Sequence, residues 1–164
     1  CCRKLRTCGW DASAAASAIA VASAAARAEK PPRAPLPPAY VEECGSCHVA
    51  FPGRMLDAAS WSAVLAGLER HFGVDASVDP KTLEPIRAYL ASTARSKPTA
   101  ADGVPLLRIT ETRWFRHEHD EVPGRLWKEP DAVKPADCAA CHRSAAEGSY
   151  SERDLRLPKK GEVK

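Results

Sequence analysis

The clearest pattern of apolar positions in the chain lies in residues 60–72, SWSAVLAGLERHF. Large apolar or aromatic side chains, with one histidine among them, recur there every three or four residues, at Trp61, Val64, Leu65, Leu68, His71 and Phe72. Ser60 is a suitable N-cap, and Gly73 is a suitable residue to end the helix. The pattern therefore predicts an amphipathic helix over residues 60–72 that carries His71 on its apolar face.

Three further helices are predicted from shorter patterns. Asp79 followed by Pro80 is typical of a helix start, and an apolar stripe continues this helix to about residue 93 through Leu83, Ile86 and Leu90. A short helix is expected around residues 114–122, and another from about Asp137 to residue 146. Residues 96–105 are predicted as a loop, and no segment is predicted as a strand. The expected fold class is therefore all-α, mostly helical with little or no sheet.

The first 26 residues have the composition of a secretory signal peptide. Three basic residues (Arg3, Lys4 and Arg6) precede an alanine-rich run over residues 12–26 that contains two possible A-x-A cleavage sites. A disordered low-complexity tail is the alternative for this segment. Residues 27–38 form a proline-rich linker. The folded domain is therefore expected over residues 39–164, a length suited to one domain.

Composition argues against two classes of function. The alanine-rich run is too short and too rich in alanine and serine to span a membrane stably, so an integral membrane protein is not expected. The formal net charge is only +3, and the sequence has no basic stripe of the kind that binds nucleic acid. We therefore expect an exported, soluble protein that has no nucleic-acid partner.

The pentapeptide Cys-x-x-Cys-His occurs twice, as CGSCH at residues 44–48 and as CAACH at residues 138–142. Positions i, i+3 and i+4 share one face of a helical turn, so two thiols there can add to the vinyl groups of one haem while the histidine lies under the iron. This spacing is the c-type haem attachment signal, and imidazole is a usual axial ligand of haem iron. The repeat predicts two covalent haems, attached through four cysteines and bound by two proximal histidines: Cys44, Cys47, Cys138, Cys141, His48 and His142.

Two other uses of the cysteine pairs are weaker. Three of the 7 cysteines (Cys1, Cys2 and Cys8) lie in the leader, so the two motifs use all the others. The pairs of a zinc ribbon are roughly 15–20 residues apart, far closer than Cys47 is to Cys138, and zinc gives no reason for a histidine after both pairs. A thioredoxin-like site needs a strand before the motif, and neither motif has one.

Each iron needs a second axial ligand, and three of the 5 histidines remain. His71 lies on the apolar face of its predicted helix, which points at the porphyrin if haem forms the core. In residues 113–122, helical spacing from Phe115 favours His119 as the inward histidine. His117 is flanked by charged residues and is the alternative. The sequence therefore predicts His71 and His119 as the distal ligands.

Short strings spread over residues 40–158 carry a resemblance to a known family. They are ECGSCH at residues 43–48, SW at 60–61, HFGVDAS at 71–77, RIT at 108–110, WF at 114–115, His119, CAACH at 138–142 and SER at 151–153. Together these strings are similar to the bacterial dihaem cytochrome c family. The resemblance implies two covalent haems wrapped by a mostly helical chain, with His71 and His119 as distal ligands. It also implies redox partners, among them a membrane cytochrome b and a small oxygen-binding haem protein.

The coordination expected at both irons indicates the function. An iron with two protein ligands has no open position for a substrate, so we expect an electron carrier and not an enzyme. Haem is attached to Cys-x-x-Cys-His outside the bacterial cytoplasm, which predicts a periplasmic location. The alternative is a haem enzyme or gas sensor in which one distal histidine is absent or labile. The iron at that site would be five-coordinate and could bind O₂, NO or CO, or reduce peroxide.

Overall fold

The computed structural model of the protein describes residues 35–100, 102–128 and 133–159. All of these residues belong to one unit, Ala34–Lys164. The predicted signal peptide and the linker residues up to 34 lie outside the described residues. The last residue of the predicted linker, Pro38, is the first residue of a helix.

The described residues form five α-helices joined by loops and single 3₁₀ turns. The helices are α1 (Pro38–Cys44), α2 (Ala58–Ala66), α3 (Pro80–Thr93), α4 (Arg113–Glu118) and α5 (Arg125–Lys128). Pairing between extended segments of the described chain is limited to three isolated bridges, Asp57 with Arg95, His71 with Val74 and His142 with Leu155. The predicted all-α class is confirmed.

α3 has the bounds that the sequence predicts. The Asp79 carboxylate accepts a hydrogen bond from the Thr82 N–H at 3.1 Å, which satisfies a donor that has no partner inside the helix. Pro80 occupies the first turn, where a missing N–H breaks no hydrogen bond. Ile86 and Leu90 of the predicted stripe are each 1% exposed. The apolar stripe therefore faces the core, as its spacing predicts.

α2 begins and ends earlier than the sequence predicts. Its N-cap is Asp57, whose carboxylate accepts from the Ser60 N–H at 2.9 Å, so Ser60 lies in the first turn and not at the cap. The helix ends at Gly67, because glycine has a low helix propensity and the chain tightens there into a 3₁₀ turn, Leu68–Arg70. His71 follows this turn in an extended conformation. The prediction of one continuous helix is therefore wrong.

The helix predicted around residues 114–122 is shorter in the structure. α4 starts after Thr112, whose hydroxyl accepts a hydrogen bond from the Phe115 N–H at 3.2 Å. It ends one residue before His119, which is its C-cap. The proline and glycine at 123–124 then precede a further one-turn helix, α5, which the sequence does not predict.

The helix predicted from Asp137 to residue 146 does not form, although all of these residues are described. Cys138–Ala140 make one 3₁₀ turn, and the His142 N–H donates to the Cys138 carbonyl at 2.8 Å. The helix does not continue, because the Cys141 carbonyl accepts from the Arg156 N–H at 2.8 Å instead of from a residue one turn ahead. A hydrogen bond to the C-terminal segment thus takes the place of the next hydrogen bond of a helix, and the prediction of a helix here is wrong.

The core lies where α1, α2 and α3 meet. The buried cluster among the described residues consists of Tyr40, Ala50, Met55, Leu56, Trp61, Leu65, Ile86 and Leu90. Its aromatic polar atoms are satisfied, because the Trp61 Nε1–H donates to the Gly53 carbonyl and the Tyr40 hydroxyl to the Phe51 carbonyl, both at 2.6 Å. These bonds fix the loop that follows the first Cys-x-x-Cys-His motif.

Candidate functional site

The five histidines are arranged as two pairs and one exposed residue. His48 faces His71, and His119 faces His142, with the ring centroids 6.2 Å apart in both pairs. His117 lies outside both pairs, and its side chain is 79% exposed. Each motif histidine therefore has one of the predicted distal histidines opposite it. We call the pair of His48 and His71 the first site, and the pair of His119 and His142 the second site.

A centroid separation of 6.2 Å fits one metal ion held between two imidazoles. A bond between a metal and a histidine nitrogen is roughly 2 Å long. When the two bonds are in line, the two nitrogens are separated by twice that length. Each nitrogen is also a short distance from the centre of its own ring, so the two ring centroids lie about 6 Å apart. The residues present at both sites therefore fit a haem iron with two histidine ligands.

A cavity of about 550 Å³ lies beside the first pair of histidines. Both cysteines and the histidine of the first motif lie in its wall together with His71. Most of the remaining wall is apolar and includes Leu56, Trp61, Leu65 and Leu90 of the core. Size and lining suit a large, mainly apolar cofactor. Cys138 of the second motif also lines this cavity, so the two motifs approach each other there.

His48 is oriented by the loop that follows it. Its Nδ1 lies 2.8 Å from the Val49 carbonyl oxygen, which can only accept, so Nδ1 carries the proton and Nε2 keeps its lone pair. The ring also stacks on Phe51, with the centroids 4.8 Å apart. A hydrogen bond at Nδ1 fixes the ring orientation and strengthens Nε2 as a ligand, as is usual for metal-binding histidines.

His71 opens a tight turn with an unusual backbone. The Val74 N–H donates to the His71 carbonyl at 3.1 Å, and both residues between them have positive φ, 50° at Phe72 and 102° at Gly73. Glycine adopts this region freely, but a phenylalanine there costs about 1–2 kcal/mol. Neither ring nitrogen of His71 has a hydrogen-bond partner among the residues that the structure describes. Burial and the neighbouring His48 lower the pKa of His71.

Phe72 and Arg108 cover the outer side of His71. The Phe72 ring meets the His71 ring edge-on, with centroids 4.7 Å apart, and the Arg108 guanidinium lies 4.1 Å from the Phe72 centroid. Phe72 is 49% exposed. The Arg108 side chain is 52% exposed and pairs with Glu111 at 3.7 Å. His71, the predicted distal ligand of the first site, is therefore held by contacts at the protein surface.

His119 is held by buried groups. Its Nδ1 lies 2.8 Å from the Phe115 carbonyl oxygen, so Nδ1 donates and Nε2 keeps its lone pair. Its ring also stacks on the Phe115 ring, with the centroids 3.9 Å apart and the planes within 19°. Phe115 is 9% exposed, and Thr112, which caps the N–H of Phe115, is 0% exposed. The distal side of the second site is therefore built into the packed part of α4.

His142 has less polar support than His119. Its Nδ1 is buried and has no hydrogen-bond partner in the described part of the chain. Burial, followed by the neighbouring His119, lowers the pKa of His142, which favours the neutral ring that a metal ligand requires. Tyr150 packs against it, with the ring centroids 5.3 Å apart. The sequence does not identify Tyr150, because no local pattern places it beside His142.

The motif cysteines lack the electrostatics of a redox pair. All four are free. Burial, with Glu43 beside it, raises the pKa of Cys44 to about 11. Burial and Asp137 raise that of Cys138 to about 11. Reactive redox thiols have a lowered pKa instead. Among the described residues, no three histidine, cysteine or acidic side chains lie close enough together to hold a metal ion by themselves.

Comparison with known proteins finds both a matching family and similar solved structures. The sequence model for dihaem cytochrome c matches residues 40–150. A dihaem cytochrome type c from Shewanella baltica is 35% identical, with a TM-score of 0.64, and the match covers 79% of this chain and 100% of that chain. A crystal structure of DHC from Rhodobacter sphaeroides is 39% identical, with a TM-score of 0.58, and the match covers 70% of this chain and 96% of that chain.

A second Rhodobacter sphaeroides structure, of a dihaem cytochrome c, is 35% identical, with a TM-score of 0.62, and the match covers 71% of this chain and 100% of that chain. No protein of curated function matches the chain. In the described ranges, no helix has both the length and the apolar character needed to cross a membrane.

Proposed function

Because the chain belongs to the dihaem cytochrome c family, which implies two c-type haems, we propose that it is a periplasmic electron-transfer protein with two histidine ligands on each iron. The observation that carries the proposal is the equal spacing of the two histidine pairs, 6.2 Å in each. Two protein ligands leave an iron no open position for a substrate. This coordination favours an electron carrier over an enzyme.

The four motif cysteines attach the cofactors. Cys44 and Cys47 form thioether bonds to one haem, and Cys138 and Cys141 form them to the other. The backbone supports this role at the second motif, because the hydrogen bond from the His142 N–H to the Cys138 carbonyl closes one helical turn. A helical turn of this kind directs both thiols and the histidine towards one side of the chain.

The four paired histidines are the axial ligands. His48 and His71 hold the first iron, and His142 and His119 hold the second. The Nδ1–H groups of His48 and His119 donate to backbone carbonyls, which leaves Nε2 free to bind and strengthens it as a ligand. His117 is not a ligand in this arrangement, because its side chain is exposed and lies outside both pairs.

When bound, each haem supplies one-electron chemistry at its iron. The chain contributes rigidity, because the thioether bonds and the paired histidines would hold each iron in the same way in both oxidation states when no other ligand is added. The apolar wall of the first cavity excludes water and lowers the local dielectric constant. Cys138 lies in that wall, and this proximity suits transfer of an electron between the two sites.

The proposed location and partners rest on chemistry and resemblance. Covalent attachment of haem to Cys-x-x-Cys-His takes place outside the bacterial cytoplasm, and the first 26 residues have the composition of an export signal. By family resemblance, the redox partners are a membrane cytochrome b and a small oxygen-binding haem protein.

The test begins with the cofactor content of the chain. The full chain is expressed with a functional signal peptide in a host that carries a c-type maturation system, and the haem content is measured from a pyridine haemochrome spectrum and the intact mass. We expect two covalent haems, a low-spin spectrum and two one-electron steps in a redox titration. A chain with no covalent haem, or with a high-spin resting spectrum, would contradict the proposal.

A further inference from the structure

The two distal histidines differ in what holds them. The His119 ring is stacked on a buried phenylalanine and donates a hydrogen bond to its carbonyl oxygen. The His71 ring makes no hydrogen bond to any residue that the structure describes. Apart from His48 across the site, the ring contacting it is Phe72, which is half-exposed. His119 is therefore the firmly held ligand, and His71 is the weakly held one.

The backbone around His71 lies outside the buried cluster and in the wall of the first cavity. Residues 72–75 are exposed, and none of residues 69–79 belongs to the buried cluster. Two backbone hydrogen bonds close the turn on itself, from Val74 N–H to the His71 carbonyl and from Ala76 N–H to the Leu68 carbonyl. The second bond ends on Leu68, which packs against the core, so an outward movement of His71 requires the bond between Val74 and His71 to open. Opening this bond lets the strained φ of Phe72 relax, which offsets part of the cost of opening.

We propose that His71 is an exchangeable ligand, held in place by the contact between Phe72 and Arg108, and that its release lets the reduced first site bind a neutral diatomic gas. His119 is fixed, and the second site binds none. The inference rests on the proposed function, because it assumes two irons that each have two histidine ligands at rest. It adds a gas-binding site to an electron carrier.

The exchange conserves electrons and protons. The bond from the His71 Nε2 to the iron breaks, and its electron pair returns to the neutral imidazole. The gas then donates a lone pair to the same iron. No oxidant, reductant or proton is consumed. The Phe72 ring moves with the imidazole, which requires the Arg108 guanidinium to leave its face.

The test counts carbon monoxide bound by the reduced holoprotein, from the change in its absorption spectrum. The wild-type chain should bind one equivalent. His71→Ala opens only the first site, which already binds carbon monoxide in the wild-type chain. This variant should therefore also bind one equivalent, but at a lower carbon monoxide concentration. His119→Ala opens the second site and should bind two. This order of stoichiometries, one, one and two, identifies the first site as the reactive one.

The other outcomes overturn the inference in distinct ways. A low-spin wild-type chain that binds no carbon monoxide overturns this inference alone. Stoichiometries of one, two and one for wild type, His71→Ala and His119→Ala assign the labile ligand to the second site and also overturn it. A wild-type chain whose resting spectrum is high-spin overturns the proposed function and this inference with it.

A second variant tests the inference without removing a ligand. At high carbon monoxide concentration, the observed rate of carbon monoxide binding is limited by the rate at which His71 leaves the iron. Arg108→Gln removes the cation from the Phe72 face and should raise this limiting rate about two- to fivefold. Arg87→Gln is the matched control, because Arg87 is similarly exposed and paired with Glu84 on α3. An Arg108→Gln rate equal to that of the control would overturn the inference.

Discussion

The two histidine pairs have the same spacing, but the motif histidine is the better held residue in one pair and the distal histidine is the better held residue in the other. At the first site, the motif histidine (His48) is fixed by a hydrogen bond and a stacked ring, while its partner (His71) lies in an exposed turn. At the second site the partner (His119) is fixed in the same two ways, while the motif histidine (His142) has a buried Nδ1 with no partner in the described chain. Spacing decides which residues can share an iron, and local support decides how firmly each residue holds it.

The two sites also differ in their relation to the core. The first cavity is lined by core residues of α2 and α3, such as Trp61 and Leu90. The second site is built from α4 and from loop residues near the C-terminal segment, with Tyr150 beside His142. Loss of cofactor from the first site should therefore affect the whole fold, and loss from the second site should have a local effect.

The largest predicted effect comes from removing the thiols. Cys44→Ser with Cys47→Ser, and Cys138→Ser with Cys141→Ser, should each reduce the haem content from two to one. Leaving a cavity of about 550 Å³ unfilled would cost at most ~13 kcal/mol, which is comparable to the whole stability of a domain. The first double variant should therefore lose most of its helical circular dichroism, and the second should retain it. Equal losses in both would contradict the comparison.

The next largest effect is expected from a substitution that makes the second site resemble the first. Phe115→Leu removes the ring that stacks on His119 but keeps an apolar side chain in the buried position. We expect about 2 kcal/mol less stability in urea unfolding, and a second equivalent of carbon monoxide bound on reduction. Phe51→Leu is the control, because Phe51 stacks on the motif histidine and not on a distal one. A second equivalent bound by the control as well would show that stacking on a distal ligand is not the cause.

The smallest effect concerns the helix that leads to the His71 turn. Burial alone would raise the pKa of Asp57, but hydrogen bonds donated by Thr99 and Ser60 outweigh it and lower the pKa from 3.8 to about 2. A carboxyl with a lowered pKa stabilises the fold above pH 3.8, and this contribution disappears as the pH falls through about 2.

Urea unfolding should therefore show stability falling between these two pH values. Asp57→Asn should be about 1 kcal/mol less stable at neutral pH, after allowance for solvent screening, and should depend less on pH. Asp102→Asn, at an exposed loop carboxylate, serves as the control. If Asp57→Asn loses stability at acid pH in the same way as the wild-type chain, another group is responsible for that loss.

Parts of the fold and of the site were predictable because their signals are local. The N-cap of α3 and its apolar stripe lie within one stretch of sequence, so Asp79, Ile86 and Leu90 behave as their spacing indicates. The two Cys-x-x-Cys-His motifs are likewise local. Helical spacing from Phe115 is also local; the structure places His119 opposite a motif histidine and leaves His117 exposed, and His119 as a ligand stays a prediction.

The remaining features depend on contacts between distant residues. The capping of α2 by Asp57 is reinforced by the Thr99 N–H at 2.7 Å, from beyond α3, and no local pattern predicts that bond. The helix expected after Asp137 is prevented by the C-terminal segment. His71 reaches the site from a turn with positive φ at Phe72, a conformation that the sequence of a helical stripe does not indicate. The secondary structure predicted at this position is therefore wrong, while His71 as a distal ligand stays a prediction.

The proposed coordination of both irons depends on which histidines lie opposite the motif histidines. The direct measurement is the absorption spectrum of the oxidised holoprotein for His71→Ala, His119→Ala and His117→Ala. We predict that the first two variants each convert one of the two haems to a high-spin form, and that His117→Ala, which removes an exposed side chain, retains the wild-type spectrum. A spectrum altered by His117→Ala and unchanged by His119→Ala would contradict the assignment.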